Sequence, residues 1–190
     1  MMSVNGLVVM TPTSIASTGT GNSSSIGANG KVTFSSCETL SLNGVFTSSY
    51  DNYMVSLNVK NTTGTNGFVT YYRLRASGTD NSTASSYVYQ SLYADSTAVG
   101  ASRATSNLGT FDDGGSGNRT GSTTFIFAPY LAQPTAWRSV AASGYASGMI
   151  YDRAGTHNQS TAYDGFSIFW TFGGSPVKSD GVITVYGFNQ

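Results

Sequence analysis

YMVSLNVK (Tyr53–Lys60) places Tyr53, Val55, Leu57 and Val59 on one side and Ser56, Asn58 and Lys60 on the other. Strict alternation over eight residues is the signature of a β-strand with one face buried, since successive side chains of a strand point to opposite faces. The same period of two recurs on both sides. FVTYYRLRA (Phe68–Ala76) sets Phe68, Tyr72, Leu74 and Ala76 against Val69, Tyr71, Arg73 and Arg75. In GFSIFWTFG, Phe166, Ile168, Trp170 and Phe172 share a face, and Val182, Thr184, Tyr186 and Phe188 do so near the end of the chain. Further strands are expected at Lys31–Cys37, Ser86–Tyr93, Thr123–Ala128, Ala136–Ser143 and Met149–Asp152. Between them lie turn-forming clusters such as NTTGTNG, SGTDNST, DDGGSGNRTG and FGGSPVKSDG.

No window carries an amphipathic helical stripe, and a short turn of helix is expected only in Tyr93–Thr105, where alanines gather. Eight to ten short strands at this spacing predict an all-β fold, an antiparallel β-sandwich of jelly-roll-like kind. Residues 31–190 form that sandwich in this reading, and residues 1–30 an extended N-terminal arm. Thr13–Asn29 is Ser, Thr, Gly and Asn with little to bury, so it cannot fold alone. Ahead of it stand four large apolar residues in succession, Leu7, Val8, Val9 and Met10, which a purely solvating tail would not need. They are the candidate anchor of the arm on a partner.

Composition narrows the function. Charged residues make up 9% of the 190, with nine basic and nine acidic, giving zero formal net charge. Soluble proteins ordinarily hold about 25% charged residues and a net charge away from zero. A chain that does neither suits an assembly whose contacts are hydroxyls, amides and rings, and a homo-oligomer, a trimer, is expected. Singly scattered arginines offer no basic stripe for nucleic acid. No apolar run approaches the length of a membrane span, and the N-terminus lacks the basic start of a secretory signal. Synthesis in a host cytoplasm without secretion is therefore expected, and the sequons at Asn22, Asn61, Asn81, Asn118 and Asn158 are read as chance. The single cysteine, Cys37, is read as a buried core thiol.

Acid–base and metal chemistry find few residues. The one histidine, His157 in AGTHNQST, is expected in an exposed loop, and no G-x-S-x-G elbow supports a serine nucleophile. Glu38 is the sole glutamate, and most aspartates stand in turn sequences that Asp forms by itself. The adjacent Asp112 and Asp113 could offer oxygens to Ca²⁺, yet lack the alternate-position spacing of an EF-hand loop. The expectation is a protein that is not an enzyme and has no cofactor. Its dense tyrosines, Tyr71, Tyr72, Tyr87, Tyr89, Tyr93, Tyr145, Tyr151 and Tyr163, are divided between core, subunit interface and ligand-facing surface.

The segments LNGVFTSSYDNYMVSLNV, YYRLRASGTDNSTASSYVYQSLYA, AYDGFSIFW and ITVYGFNQ, in that order, resemble small structural proteins of tailed bacteriophages. These are capsid decoration (cement) proteins and terminal domains of tail fibres. The resemblance spans about Val32 to Gln190 and implies a β-sandwich, assembly on a virion and no chemistry. It implies no site residue. Two functions follow as expectations. One is a decoration protein at the capsid surface, bound to the major capsid protein through the arm. The other is a receptor-binding module at a tail-fibre tip, recognising host surface glycans.

Overall fold

A computed structural model describes residues 6–63, 67–114, 119–144 and 148–189. The described residues form seventeen strands and no helix. In chain order they are β1 (Val8–Met10), β2 (Ser14–Thr18), β3 (Ser23–Ile26), β4 (Val32–Cys37), β5 (Thr39–Asn43) and β6 (Asn52–Asn61). Then come β7 (Phe68–Ala76), β8 (Thr79–Asp80), β9 (Tyr87–Asp95), β10 (Ala98–Ser106), β11 (Gly109–Gly114) and β12 (Arg119–Phe127). The last are β13 (Thr135–Ser143), β14 (Ile150–His157), β15 (Gly165–Phe172), β16 (Ser175–Pro176) and β17 (Ser179–Phe188).

The chain is an antiparallel β-sandwich. Its larger sheet runs β10-β9-β14-β13-β12-β6-β17-β4-β3, with β1 also on β17, and its smaller sheet runs β11-β7-β15-β5-β2, with β8 on β7 and β16 on β15. The strand that alternation predicted at Tyr53–Lys60 is the interior of β6, and Tyr53, Val55, Leu57 and Val59 are buried as the pattern requires. They meet Leu40, Leu42, Tyr72, Leu74, Phe166, Ile168 and Trp170 of the smaller sheet in one hydrophobic core. Rings dominate it: Phe34 stacks on Trp170 at 4.9 Å between centroids, and Tyr72 stacks on Phe111 at 4.4 Å. Cys37 is buried there, as expected of a core thiol.

Three expectations are corrected. Residues 6–29 do not extend away as an arm. They run as β1 beside β17, β2 beside β5 and β3 beside β4, so the Ser/Thr tract earns its hydrogen bonds from both sheets of its own chain. Tyr93–Thr105 holds no helical turn: β9 and β10 form a nine-pair hairpin across it. Gly100 makes that pairing possible, because the Tyr93 ring lies where a β-carbon would sit, 2.4 Å from the ring carbon Cζ. His157 is not exposed in a loop. It ends β14 fully buried, its ring 4.2 Å from that of Tyr87.

Candidate functional site

Strand register aligns the outward side chains of the larger sheet into rows. One row reads Val9, Tyr186, Met54, Phe125, Arg138, Ala154, Gln90 and Arg103 from β1 across to β10. The next reads Thr184, Ser56, Thr123, Val140, Asp152, Leu92 and Ala101, and the third Val182, Asn58, Gly121, Ala142, Ile150, Ala94 and Val99. At the β14–β9–β10 end these rows form an aliphatic patch. Leu92 is 61% exposed, Val99 83%, Val140 51% and Ile150 58%. With Gly121, Ala94 and Ala142 beneath them they bound a groove of about 760 Å³. Toward β17 the face becomes aromatic, where Phe125 lies 6.1 Å from Phe188 and 6.5 Å from Phe127.

The inner surface behind the aliphatic patch sets polar groups among aromatic rings. Trp137 fixes the parity of β13, so Ser139, Ala141 and Ser143 follow it inward and Val140 must point out. On β12 the inward residues are Thr120, Ser122, Thr124 and Ile126. Side chains this small let β11 lie across β12, β13 and β14 from the opposite sheet. The Ser139 hydroxyl donates to the Phe111 carbonyl at 2.7 Å and receives a bond from Thr124 at 2.8 Å. Asp112 is wholly buried and accepts a bond from Ser122 at 3.0 Å. Burial pushes its carboxyl up to about 6. Arg153, buried on β14, pairs with Asp113, donates to Ser91 at 3.0 Å and lies 4.2 Å from the centroid of the Tyr151 ring. Burial also raises the Tyr151 hydroxyl, to about 12.

On the outer rim Arg138 clasps Asp152 with two bonds, of 3.0 and 2.6 Å, and the guanidinium holds that carboxylate below its usual range. A second, polar cleft of about 420 Å³ lies at the other end of the fold, lined by Thr79, Asp80, Asn81, Thr83, Thr161 and Tyr163. There the Asn81 amide donates to the Tyr163 hydroxyl at 2.8 Å, and that hydroxyl meets His157 Nε2 at 2.5 Å. Burial lowers the imidazole to about 4, so His157 is neutral near pH 7 and is committed to an internal bond.

The four candidate anchor residues separate. Leu7, Val8 and Val9 are exposed, and Val9 opens the first outward row. Met10 packs against the core of its own sandwich. Asp112 and Asp113 face different partners, a serine and an arginine, and no cluster of three or more His, Cys, Asp or Glu suited to a metal exists among the described residues. Asn118 and Tyr145 lie outside the described residues. The residues the sequence reading missed are Leu92, Val99, Val140 and Ile150. Their signal was the parity of WRSVAAS, in which the tryptophan commits the valine to the other face. No described helix is long and apolar enough to cross a membrane.

No protein-family model and no curated protein sequence matches the chain. Among solved structures it is similar to the CBM2 module of the evolved Dit protein of Lactobacillus casei BL23 phage J-1, at 14% identity and a TM-score of 0.42, over 97% of this chain and 96% of that one. It is also similar to the binding domain of botulinum neurotoxin serotype G, at 7% identity and a TM-score of 0.33, over 99% of this chain and 45% of that one. A third is a Bacillus licheniformis β-glucanase, at 13% identity and a TM-score of 0.27, over 86% and 81%. Likenesses this distant decide nothing about activity, partners or ligands.

Proposed function

We propose that the chain is a non-catalytic structural subunit of a phage virion, a decoration protein that binds the outside of the head as a homo-oligomer. The observation that carries this reading is the apolar outer face of the larger sheet. It runs from Val9 past Met54 and Phe125 to Val140 and Val99 with few charges along it. Exposed apolar surface of that extent marks an interaction site in a stable protein. A subunit that binds only the assembled shell stabilises it in proportion to its affinity and concentration, and several copies joined together add avidity.

The shell contact is assigned to the β1 edge, through Leu7, Val8 and Val9. Substituting all three by serine tests it without touching Met10 or the core. Purified variant and wild type are mixed with undecorated shells and sedimented. The expected result is a folded variant that stays in the supernatant, and full occupancy on the shell overturns the assignment.

The polar cleft beside Asp80 and Asn81 favours a second reading, a receptor-binding tip whose hydroxyls and amides take a host glycan. In that case purified wild type blocks phage adsorption to cells, and Asn81→Ala restores it.

A further inference from the structure

We infer that the aliphatic wing of the larger sheet, the outer face of β13, β14, β9 and β10, is the surface on which a second copy of this chain docks, wing on wing. The wing keeps its aliphatic side chains outside. Its inner side carries rings and polar groups together, Trp137, Tyr87 and Tyr151 beside Arg153, Ser91 and Ser139, while Leu92, Val99, Val140 and Ile150 stand in solvent. Four large aliphatic side chains gathered on one exposed face mark a surface that gains by being covered.

Two observations point to the same chain as its cover. The face is electrically self-complementary: at the rim of its aliphatic patch stand Arg138 and Asp152, side by side. A two-fold axis lying in the interface between them sets the Arg138 of each copy opposite the Asp152 of the other, so like charges do not meet. Next, the size fits once the outer faces of β12 and β6, which continue the same rows, are counted with the wing. Six strands at about 4.8 Å spacing span about 24 Å, and three rows cover roughly 20 Å along the strands. Two such faces bury roughly 1,000 Å², the lower bound of a specific interface. A glycan is the weaker occupant, because β13, β14, β9 and β10 present no aromatic ring outward for a sugar to stack on, Tyr93 and Tyr151 both facing inward and the neighbouring outward ring, Phe125, standing on β12. An isologous face of this kind makes a dimer, in place of the trimer the composition alone suggested.

The pairing rests on the virion reading only in supposing that the chain works as an oligomer, and the two fail separately. Full-length protein is measured by sedimentation velocity from 0.1 to 100 µM, alone and with undecorated shells. Wild type is expected as a dimer at micromolar concentration. In the double variant Leu92→Lys and Val140→Lys the two lysines flank Asp152, which favours folding. This variant is expected to keep its melting transition and to dissociate about a hundredfold more readily. Arg138→Asp weakens the dimer, and adding Asp152→Arg restores it. A wild type that stays monomeric overturns the inference, as does a folded lysine variant of unchanged mass, or a monomer whose wing is protected by shell protein or by a glycan. A dimer that ignores shells leaves the inference standing and removes the decoration role.

Discussion

Two ends of one sandwich solve the problem of filling their interior in opposite ways. Around Trp170, Phe34, Phe46 and Phe166 large rings fill the space between the sheets. Across β12, β13 and β14 the interior sets hydroxyls, a buried carboxyl and a buried guanidinium among Ile126, Trp137 and Tyr151, while Val140 and Ile150 stand outside. The first end derives its stability from apolar burial. The second adds to its buried rings a set of hydrogen bonds whose net worth is small and whose loss is costly. On the proposed pairing, stability and attachment are separated in space, and surface changes at the wing are expected to alter association without unfolding the chain.

Substitutions can break that contrast. The largest effect belongs to the ring-filled end: Trp170→Ala should cost about 3–5 kcal/mol, read as a shift of the urea midpoint at constant slope. A loss under 1 kcal/mol would mean that the rings are not what holds this end. At the polar end Arg153→Met should cost about 2–3 kcal/mol, because Asp113 is left without its partner. Adding Asp113→Asn should recover at least half of the loss, and no recovery would show that Arg153 acts through Ser91 and Tyr151 instead.

The third test uses pH. Asp112 titrates near 6 when folded and near 3.8 when unfolded, so the folded chain binds more protons between those values and loses roughly 3 kcal/mol as pH rises through them. His157 titrates near 4 when folded and near 6.5 when unfolded. There the unfolded chain binds more protons, and stability falls as pH drops from 6.5 to 4. The two slopes oppose each other between pH 4 and 6. Urea titrations at pH 4.5, 5.5 and 6.5 should find wild type nearly level. Asp112→Asn should grow weaker with acid and His157→Gln should grow stronger, and parallel profiles for all three would dissolve the contrast. The smallest effect is expected on the outer face. Val140→Thr, measured on dilute protein, should stay within about 0.5 kcal/mol of wild type, although a valine at mid-strand would ordinarily be core.

Strand positions were legible because alternation is local. Tyr53–Lys60, Phe68–Ala76 and GFSIFWTFG read correctly from eight or nine residues each. What alternation cannot give is which of two similar faces turns inward. In β17, Val182, Thr184, Tyr186 and Phe188 share a face as read, but that face is the outer one, since Ile183 and Val185 fill the core. The smaller residues won the interior because a second sheet must approach closely, a demand set by strands far away in sequence. His157 was misplaced for a related reason. The Gly, Thr, Asn and Gln around it resemble a turn, and only Tyr87 and Tyr163, brought in by other strands, make a buried site for the ring.

The pairing of β1 with β17 has a consequence in time. Val8, Val9 and Met10 find their hydrogen-bonding partners at Gly187, Tyr186 and Val185, with β2 to β16 lying between them in the chain. A ribosome therefore emits β1 well before β17. Until β17 emerges Leu7–Met10 has no strand to dock on, and the sandwich closes only then. Chains cut short before β17 would thus present the same sticky segment that the folded molecule half covers, a built-in mark of an incomplete product.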